Sequence, residues 1–174
     1  IQQGELAGRI VILVHGLCMN HLTWSNAHYG GIGERLLAQR DHNTMLYLNY
    51  NTGRRISANG RSFSNLLEDL VQRNPRITSI DIIGHSMGGL VSRSALFYGK
   101  QNMYQWIHMV ENLVCIGSPH HGAVLERFGF TIQDKLGAFP FVGLLGQLVN
   151  IRSNGILDLR HGSVRDDDWE HMDA

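Results

Sequence analysis

The chain has 174 residues, 43% of them hydrophobic and 17% charged, which suits one domain with a sizeable core and excludes a disordered chain. Lys plus Arg and Asp plus Glu are equal at 15 each, so no global field draws the chain to nucleic acid or to an anionic membrane. Residues 1–8 hold no basic stretch followed by an apolar core, so no signal peptide is read there; a trimmed terminus would look the same, and the compartment stays undecided.

From Arg9 to Val14 the run R-I-V-I-L-V has the pattern of a strand buried on both faces of a parallel sheet, and it ends in His15-Gly16-Leu17. His15 reads as a loop imidazole that braces the turn rather than as a proton carrier. Trp24 either lines an acyl pocket or serves as a core or rim aromatic, with nothing to choose between the two. A helix is predicted around 32–39 and a strand over 44–50, followed by the turn N-T-G-R-R, whose Arg54 and Arg55 read as solvated surface. The next helix starts at Ser57 or Asn59, carries Phe63, Leu66, Leu67, Leu70 and Val71 at helical spacing, and stops at Asn74 before Pro75.

Residues 79–98 organise the rest. S-I-D-I-I reads as a strand, G-H-S-M-G-G as a tight turn, and Leu90, Val91, Ser94, Ala95 and Tyr98 recur at helical spacing. Gly84, Ser86 and Gly88 match G-x-S-x-G, with His85 and Gly89 completing the turn. A serine at the apex of a strand-to-helix reversal is forced into a strained backbone, and side chains two positions either side would collide, so glycine is needed there. Ser86 then stands exposed at a helix N-terminus, where the N–H groups and the helix dipole favour developing negative charge. After a polar break at 99–105, residues 111–117 are predicted as a fourth buried strand, ending in Ser118-Pro119-His120-His121-Gly122. Alternating strands and helices predict a parallel sheet with crossover helices on both faces and all three motifs at the strand carboxyl ends.

With G-H-S-M-G-G at 84–89, V-H-G-L at 14–17 and G-S-P-H-H-G at 117–122, the chain resembles lipases and esterases of the α/β-hydrolase superfamily, notably bacterial triacylglycerol lipases and lipase-like serine acyl hydrolases, over residues 9–125. The resemblance implies that His15 and Gly16 form the oxyanion loop, and that the N–H groups of Leu17 and Met87 hold the oxyanion. It implies also that His120 and His121 border the cleft and shape it without doing chemistry. Adjacent histidines point apart in an extended or turn segment, and no matching ligand cluster lies at useful spacing, so neither a metal nor any other cofactor is expected.

Residues 136–151 are the most apolar stretch, too short and too broken by Pro140 and glycines to span a bilayer. They read either as a buried helix or as a lid making transient contact with a lipid surface; the place after the S-P-H-H-G loop favours the lid. In such hydrolases the acid and the histidine follow the serine, each after a further strand. No strand is predicted after 117, and Asp158, Asp166, Asp167 and Asp168 read as polar surface, with Asp158–His161 and Asp168–His171 the pairs allowed by helical spacing. Cys18 and Cys115 read as buried free thiols rather than a disulfide.

The expectation is an α/β-hydrolase fold apparently lacking its C-terminal strands, with a core over 1–125 and a lid-like segment and tail over 126–174 in a single domain. The expected function is hydrolysis of carboxylic esters, most simply lipid or long-chain esters, through a Ser86 acyl-enzyme, in a chain that is part of a longer enzyme holding the acid and the base. Thioesterase or acyltransferase chemistry would share every motif, and a non-catalytic scaffold binding an apolar ligand or a protein is the alternative outside enzymes.

Overall fold

The computed structural model describes residues 6–25, 44–122 and 153–170. The predicted helix at 32–39 and the segment at 136–151 lie outside the described residues. Among the described residues four strands form one parallel sheet: β1 (Ala7–Val14), β2 (Thr44–Leu48), β3 (Arg76–His85) and β4 (Val110–Ile116), in the order β2-β1-β3-β4. Two long helices make the described crossovers, α1 (Ile56–Arg73) between β2 and β3 and α2 (Met87–Gln101) between β3 and β4. Short α3 (Asn154–His161) and α4 (Asp167–Glu170) follow. The expected parallel α/β architecture is what is observed.

Strand alternation sorts the core. Ile10, Ile12 and Val14 of β1 and Ile80 and Ile82 of β3 point to one face, where Phe63, Leu67 and Val71 of α1 and Leu90, Val91 and Ala95 of α2 cover them. The other face carries Val11, Leu13, Met45, Ile83 and Trp24, and most of the connection between β1 and β2, residues 26–43, lies outside the described residues. The two long helices approach closely because Gly60 faces Ser94, while Gly99 leaves room for the fully buried Trp106. Register places Val14 beside both Leu48 and Gly84, and Gly84 beside Cys115, so the four strands end in one row. The loops that follow them therefore line a single sheet edge.

Several expectations need correction. β4 is not a buried strand: it alternates between half-buried and exposed residues, with Val114 and Ile116 open, because among the described residues it is the edge of the sheet. Helix α1 begins at Ile56, earlier than either serine or asparagine candidate, because its first N–H is capped from far away: Asp158 accepts it at 2.7 Å. Arg55 is not simply solvated surface, since its guanidinium donates to the same carboxylate at 2.8 Å. Asp158 is itself buried and therefore not paired with His161 in the way spacing allowed. Asp166 meets Arg61, and Asp168 accepts the N–H groups of Val164 and Arg165 at 2.9 and 3.0 Å, so these aspartates fasten the tail rather than merely solvate it. Both cysteines are free thiols, yet Cys18 is exposed rather than buried, and Cys115 is half-buried on the edge strand.

Among the described residues no helix is long and apolar enough to cross a membrane, and no group of three or more His, Cys, Asp or Glu could hold a metal ion.

Candidate functional site

Ser86 sits between β3 and α2 with φ 52° and ψ −121°, a conformation that side-chain-bearing residues avoid and that costs about 1–3 kcal/mol. The surrounding glycines leave no alternative to themselves. A Cβ on Gly84 would lie 2.6 Å from the backbone N of Gly89, and one on Gly88 would overlap the carbonyl oxygens of Val14 and His15, the latter at 2.6 Å. The reversal is also tied to β4, because the Ser86 N–H donates to the Ile116 carbonyl at 2.8 Å. Gly89 then makes room for Ser118 of the S-P-H-H-G loop, whose Oγ occupies the space a Cβ would take.

The His15-Gly16-Leu17 turn lies against the elbow. A Cβ on Gly16 would stand 3.2 Å from the Cβ of Ser86 and 3.1 Å from Nδ1 of His85, so only glycine lets the two turns approach without displacing a neighbour. Leu17 and Met87 are buried, and among the described residues neither backbone N–H donates to a protein acceptor. His15 is buried and stacked on Tyr50, with ring centroids 4.4 Å apart and planes 14° from parallel. Its Nδ1 is 2.9 Å from the Gly16 carbonyl and its Nε2 lies 3.4 Å from the Tyr50 N–H, a set satisfied by the neutral tautomer that donates from Nδ1. Burial pushes the His15 pKa below its ordinary value, which agrees with that neutral form.

His85 is half-buried, its pKa lowered by burial, with its ring edge-on to Trp24 at 6.4 Å. Trp24 is a buried member of the second-face core, adjacent to the elbow. His120 Nδ1 accepts from the Arg93 guanidinium of α2 at 2.9 Å, and its pKa is lowered by burial first and then by the positive Arg93 and by His121. His121 is exposed in the same turn. The geometry thus brings Ser86, Met87, Gly84, His85, Gly88, Gly89, His15, Gly16 and Leu17 together, while His120 and His121 belong to the neighbouring loop after β4.

Residues that motif reading passed over hold this edge in place. Tyr50 donates its hydroxyl to the His15 carbonyl at 2.7 Å, and burial raises its pKa well above the ordinary value, so the hydroxyl stays a donor. Asp158 ties α3 to the start of α1, and burial raises its carboxyl pKa against the lowering effects of Arg55 and the Ile56 N–H. No motif marks either residue.

Lipase BlEst2 of Bacillus licheniformis in its mature form has a similar structure, with a TM-score of 0.65 and 20% identity over 99% of this chain and 62% of the lipase chain. The propeptide form of the same lipase gives a TM-score of 0.63 and 19% identity over 94% of this chain and 33% of that chain. The chain therefore spans 62% of the mature lipase's length, and the likeness at this identity is one of fold. No curated protein matches it. Residues 5–174 match the PGAP1-like alpha/beta domain, so that a chain with a parallel sheet, a strained strand-to-helix serine and a lipase-like fold belongs to this family of α/β-hydrolase-like domains.

Proposed function

We propose that the chain supplies the nucleophile and the oxyanion side of a serine ester hydrolase. The observation that carries this reading is the backbone of Ser86, held at φ 52° and ψ −121° by glycine contacts on both sides. Strain of this kind persists only where the surroundings over-determine it, and it is characteristic of a nucleophile elbow. Ser86 Oγ attacks the ester carbonyl carbon, forming the O–C bond while the carbonyl π pair moves to oxygen. The Leu17 and Met87 N–H groups receive that oxyanion, each contributing about 3 kcal/mol if correctly aimed. A base takes the Oγ proton and passes it to the departing alkoxide; water then attacks the acyl-enzyme and releases the acid.

This reading takes the base and its orienting acid from outside the described residues. Asp158 is committed to Arg55 and Ile56, Asp166 to Arg61, Asp168 to Val164 and Arg165, His15 to Tyr50, and His120 to Arg93. A lipid or long-chain ester is the substrate class favoured by the apolar sequence at 136–151 and by the lipase among the structural neighbours. The test is hydrolysis of p-nitrophenyl esters of graded chain length by this chain and by the longest natural chain that contains it, each with a Ser86→Ala control. Turnover that Ser86→Ala abolishes supports the reading, and the chain-length profile begins to name the substrate. Absence of turnover in every form replaces it with a ligand-binding scaffold.

A further inference from the structure

The loop after β2, residues 49–55, touches the oxyanion turn on one side and α3 on the other. Toward the turn, Tyr50 donates its hydroxyl to the His15 carbonyl at 2.7 Å and stacks on the His15 ring. Two residues on, Thr52 Oγ1 accepts the Cys18 N–H at 3.3 Å. The His15 carbonyl and the Cys18 N–H belong to the peptide groups immediately before and immediately after the one that carries the Leu17 N–H. With both neighbours fixed, and with the Gly16 carbonyl of the intervening unit held by His15 Nδ1 at 2.9 Å and by the Met19 N–H at 3.3 Å, the Leu17 N–H is left one direction in which to point. The turn needs that restraint, because Cys18 sits at φ 56°, a left-handed conformation that a non-glycine residue adopts only when held.

On its far side the same loop is clamped. Gly155 donates its N–H to the Gly53 carbonyl at 3.3 Å, and a Cβ at Gly155 would lie 2.7 Å from the Arg54 carbonyl oxygen and 3.1 Å from Cε of Met87. Asp158, one turn further along α3, takes the Arg55 guanidinium and the Ile56 N–H at 2.8 and 2.7 Å. Helix α3 thus presses on the loop that aims one oxyanion donor and on the side chain of the residue that carries the other.

We propose that Tyr50 and Thr52 are positioning residues for the Leu17 oxyanion donor, and that Asp158 in α3 acts through them by anchoring the 49–55 loop. This rests on the serine hydrolase reading of Ser86. None of the three touches the ester; their effect is on the transition state, where the oxyanion forms, and not on the bound ester.

The experiment measures kcat, KM and thermal midpoint with a p-nitrophenyl ester, and the affinity for a trifluoromethyl ketone whose serine adduct places its oxygen at the oxyanion position. The proteins are wild type, Ser86→Ala, Tyr50→Phe, Thr52→Val, Asp158→Asn and Asp166→Asn, all in the longest natural chain. Tyr50→Phe keeps the ring and removes one hydrogen bond; Thr52→Val is isosteric; Asp166→Asn weakens the tail at Arg61 without removing a hydrogen bond to residues 49–55. The expected result is a loss of kcat of about 10-fold to 100-fold in the three loop variants, short of the roughly 10²–10³ for deleting a donor outright. KM should stay within about twofold, and the ketone affinity should fall in parallel with kcat/KM. Asp166→Asn should keep wild-type kcat. An active wild type whose loop variants hold kcat within about twofold overturns the proposal and leaves the nucleophile assignment standing. A loss matched in Asp166→Asn, or carried by KM, overturns it as a general loosening of the fold. A wild type that never turns over removes both readings together.

Discussion

Replacing Gly88 with alanine tests the steric construction of the elbow. The added Cβ would stand 2.6 Å from the His15 carbonyl oxygen and 2.8 Å from the Val14 carbonyl carbon, where ordinary contact begins at 3.4 Å, a shortfall of 0.8 Å against His15. Both obstacles are backbone at the end of a central strand, so no side chain can rotate away and either β1 or α2 must shift. Overpacking of this kind costs typically 1–3 kcal/mol, and with no flexible neighbour the expected destabilisation lies near the upper end, about 3 kcal/mol. At a urea slope of about 2 kcal/mol/M that lowers the denaturation midpoint by about 1.5 M. A displacement approaching 1 Å between Ser86 and the oxyanion turn should also cost about 100-fold in turnover. Gly117→Ala is the comparison: Gly117 has φ 59° and, among the described residues, nothing within 4 Å of the position of its missing Cβ, so the left-handed backbone carries the penalty, about 1 kcal/mol. The measurement is a pair of urea titrations with ester hydrolysis on the same samples. A Gly88→Ala midpoint within about 0.3 M of wild type, or no larger a change than Gly117→Ala, would refute the idea that close backbone approach dictates the glycine.

Other expectations concern the serine, the tail and the histidines. Ser86→Gly relieves the strained dihedrals while adding freedom to the unfolded chain, so it should abolish turnover yet raise stability by about 1 kcal/mol, whereas Ser86→Ala keeps the strain; a less stable glycine variant in thermal melts contradicts this. Asp158→Ala strips the buried cap from Ile56 and the partner from Arg55 and should cost about 3 kcal/mol, while Asp166→Asn, acting on a more exposed pair, should cost under about 1 kcal/mol; equal losses in urea would show that burial does not separate them. His15 has a folded pKa below its unfolded value near 6.5, so the unfolded chain binds the proton first as pH falls. The stability His15 contributes is therefore present above about pH 6.5 and lost beneath it, and His15→Gln should flatten the fall in urea midpoint between pH 7.5 and 5.5. An unchanged or steeper profile in that variant counts against a neutral buried imidazole.

What the sequence made legible is what depends on local pattern. The β-branched runs at 9–14 and 79–83 needed no partner to be read as strands, because a central strand is apolar on both sides whichever strands flank it. The tight contacts around Gly84 and Gly88 arise within the β3-to-α2 reversal and against the end of β1, so the turn motif implied them. What was misread depends on distant neighbours. The start of α1 was placed too late because its cap comes from Asp158, 102 residues away, rather than from Ser57 or Asn59. The same carboxylate, in a polar-looking tail, is buried only because Ile156 and Leu159 beside it enter the core. β4 has the composition of a buried strand but, among the described residues, lies at an edge, and a run of apolar residues carries no information about its position in the strand order. Cys18 lies one residue beyond the buried Leu17, where a left-handed residue turns the chain outward. Of the candidate site, the motif residues were legible and the residues that brace them were not, since a hydroxyl on Tyr50 has no distinguishing neighbour in sequence.

The distribution of these two classes follows from where free energy is stored. Ser86 and Cys18 both hold positive φ, and each sits within a turn whose own hydrogen bonds are few: the Ser86 N–H goes to Ile116 and the Cys18 N–H to Thr52. Together with Met103 at φ 53°, these residues, at about 1–3 kcal/mol each, consume a sizeable part of the net stability of a domain this size. The Cys18 and Ser86 turns persist because each is flanked by elements that have no slack: the fully buried Ile10, Leu13 and Val14 of β1 beside one turn, the fully buried Met87 and Leu90 of α2 beside the other. A core of that density transmits displacement instead of absorbing it. Softening the support at α3 should therefore be felt first at the Cys18 and Ser86 turns and only later as global unfolding. Hydrogen exchange of an Asp158→Asn variant gives the order directly: faster exchange at Cys18 and Ser86 amides, with Ile12 and Ile82 still protected to the global limit, is the expected pattern, and uniform acceleration through the sheet is the one that contradicts it.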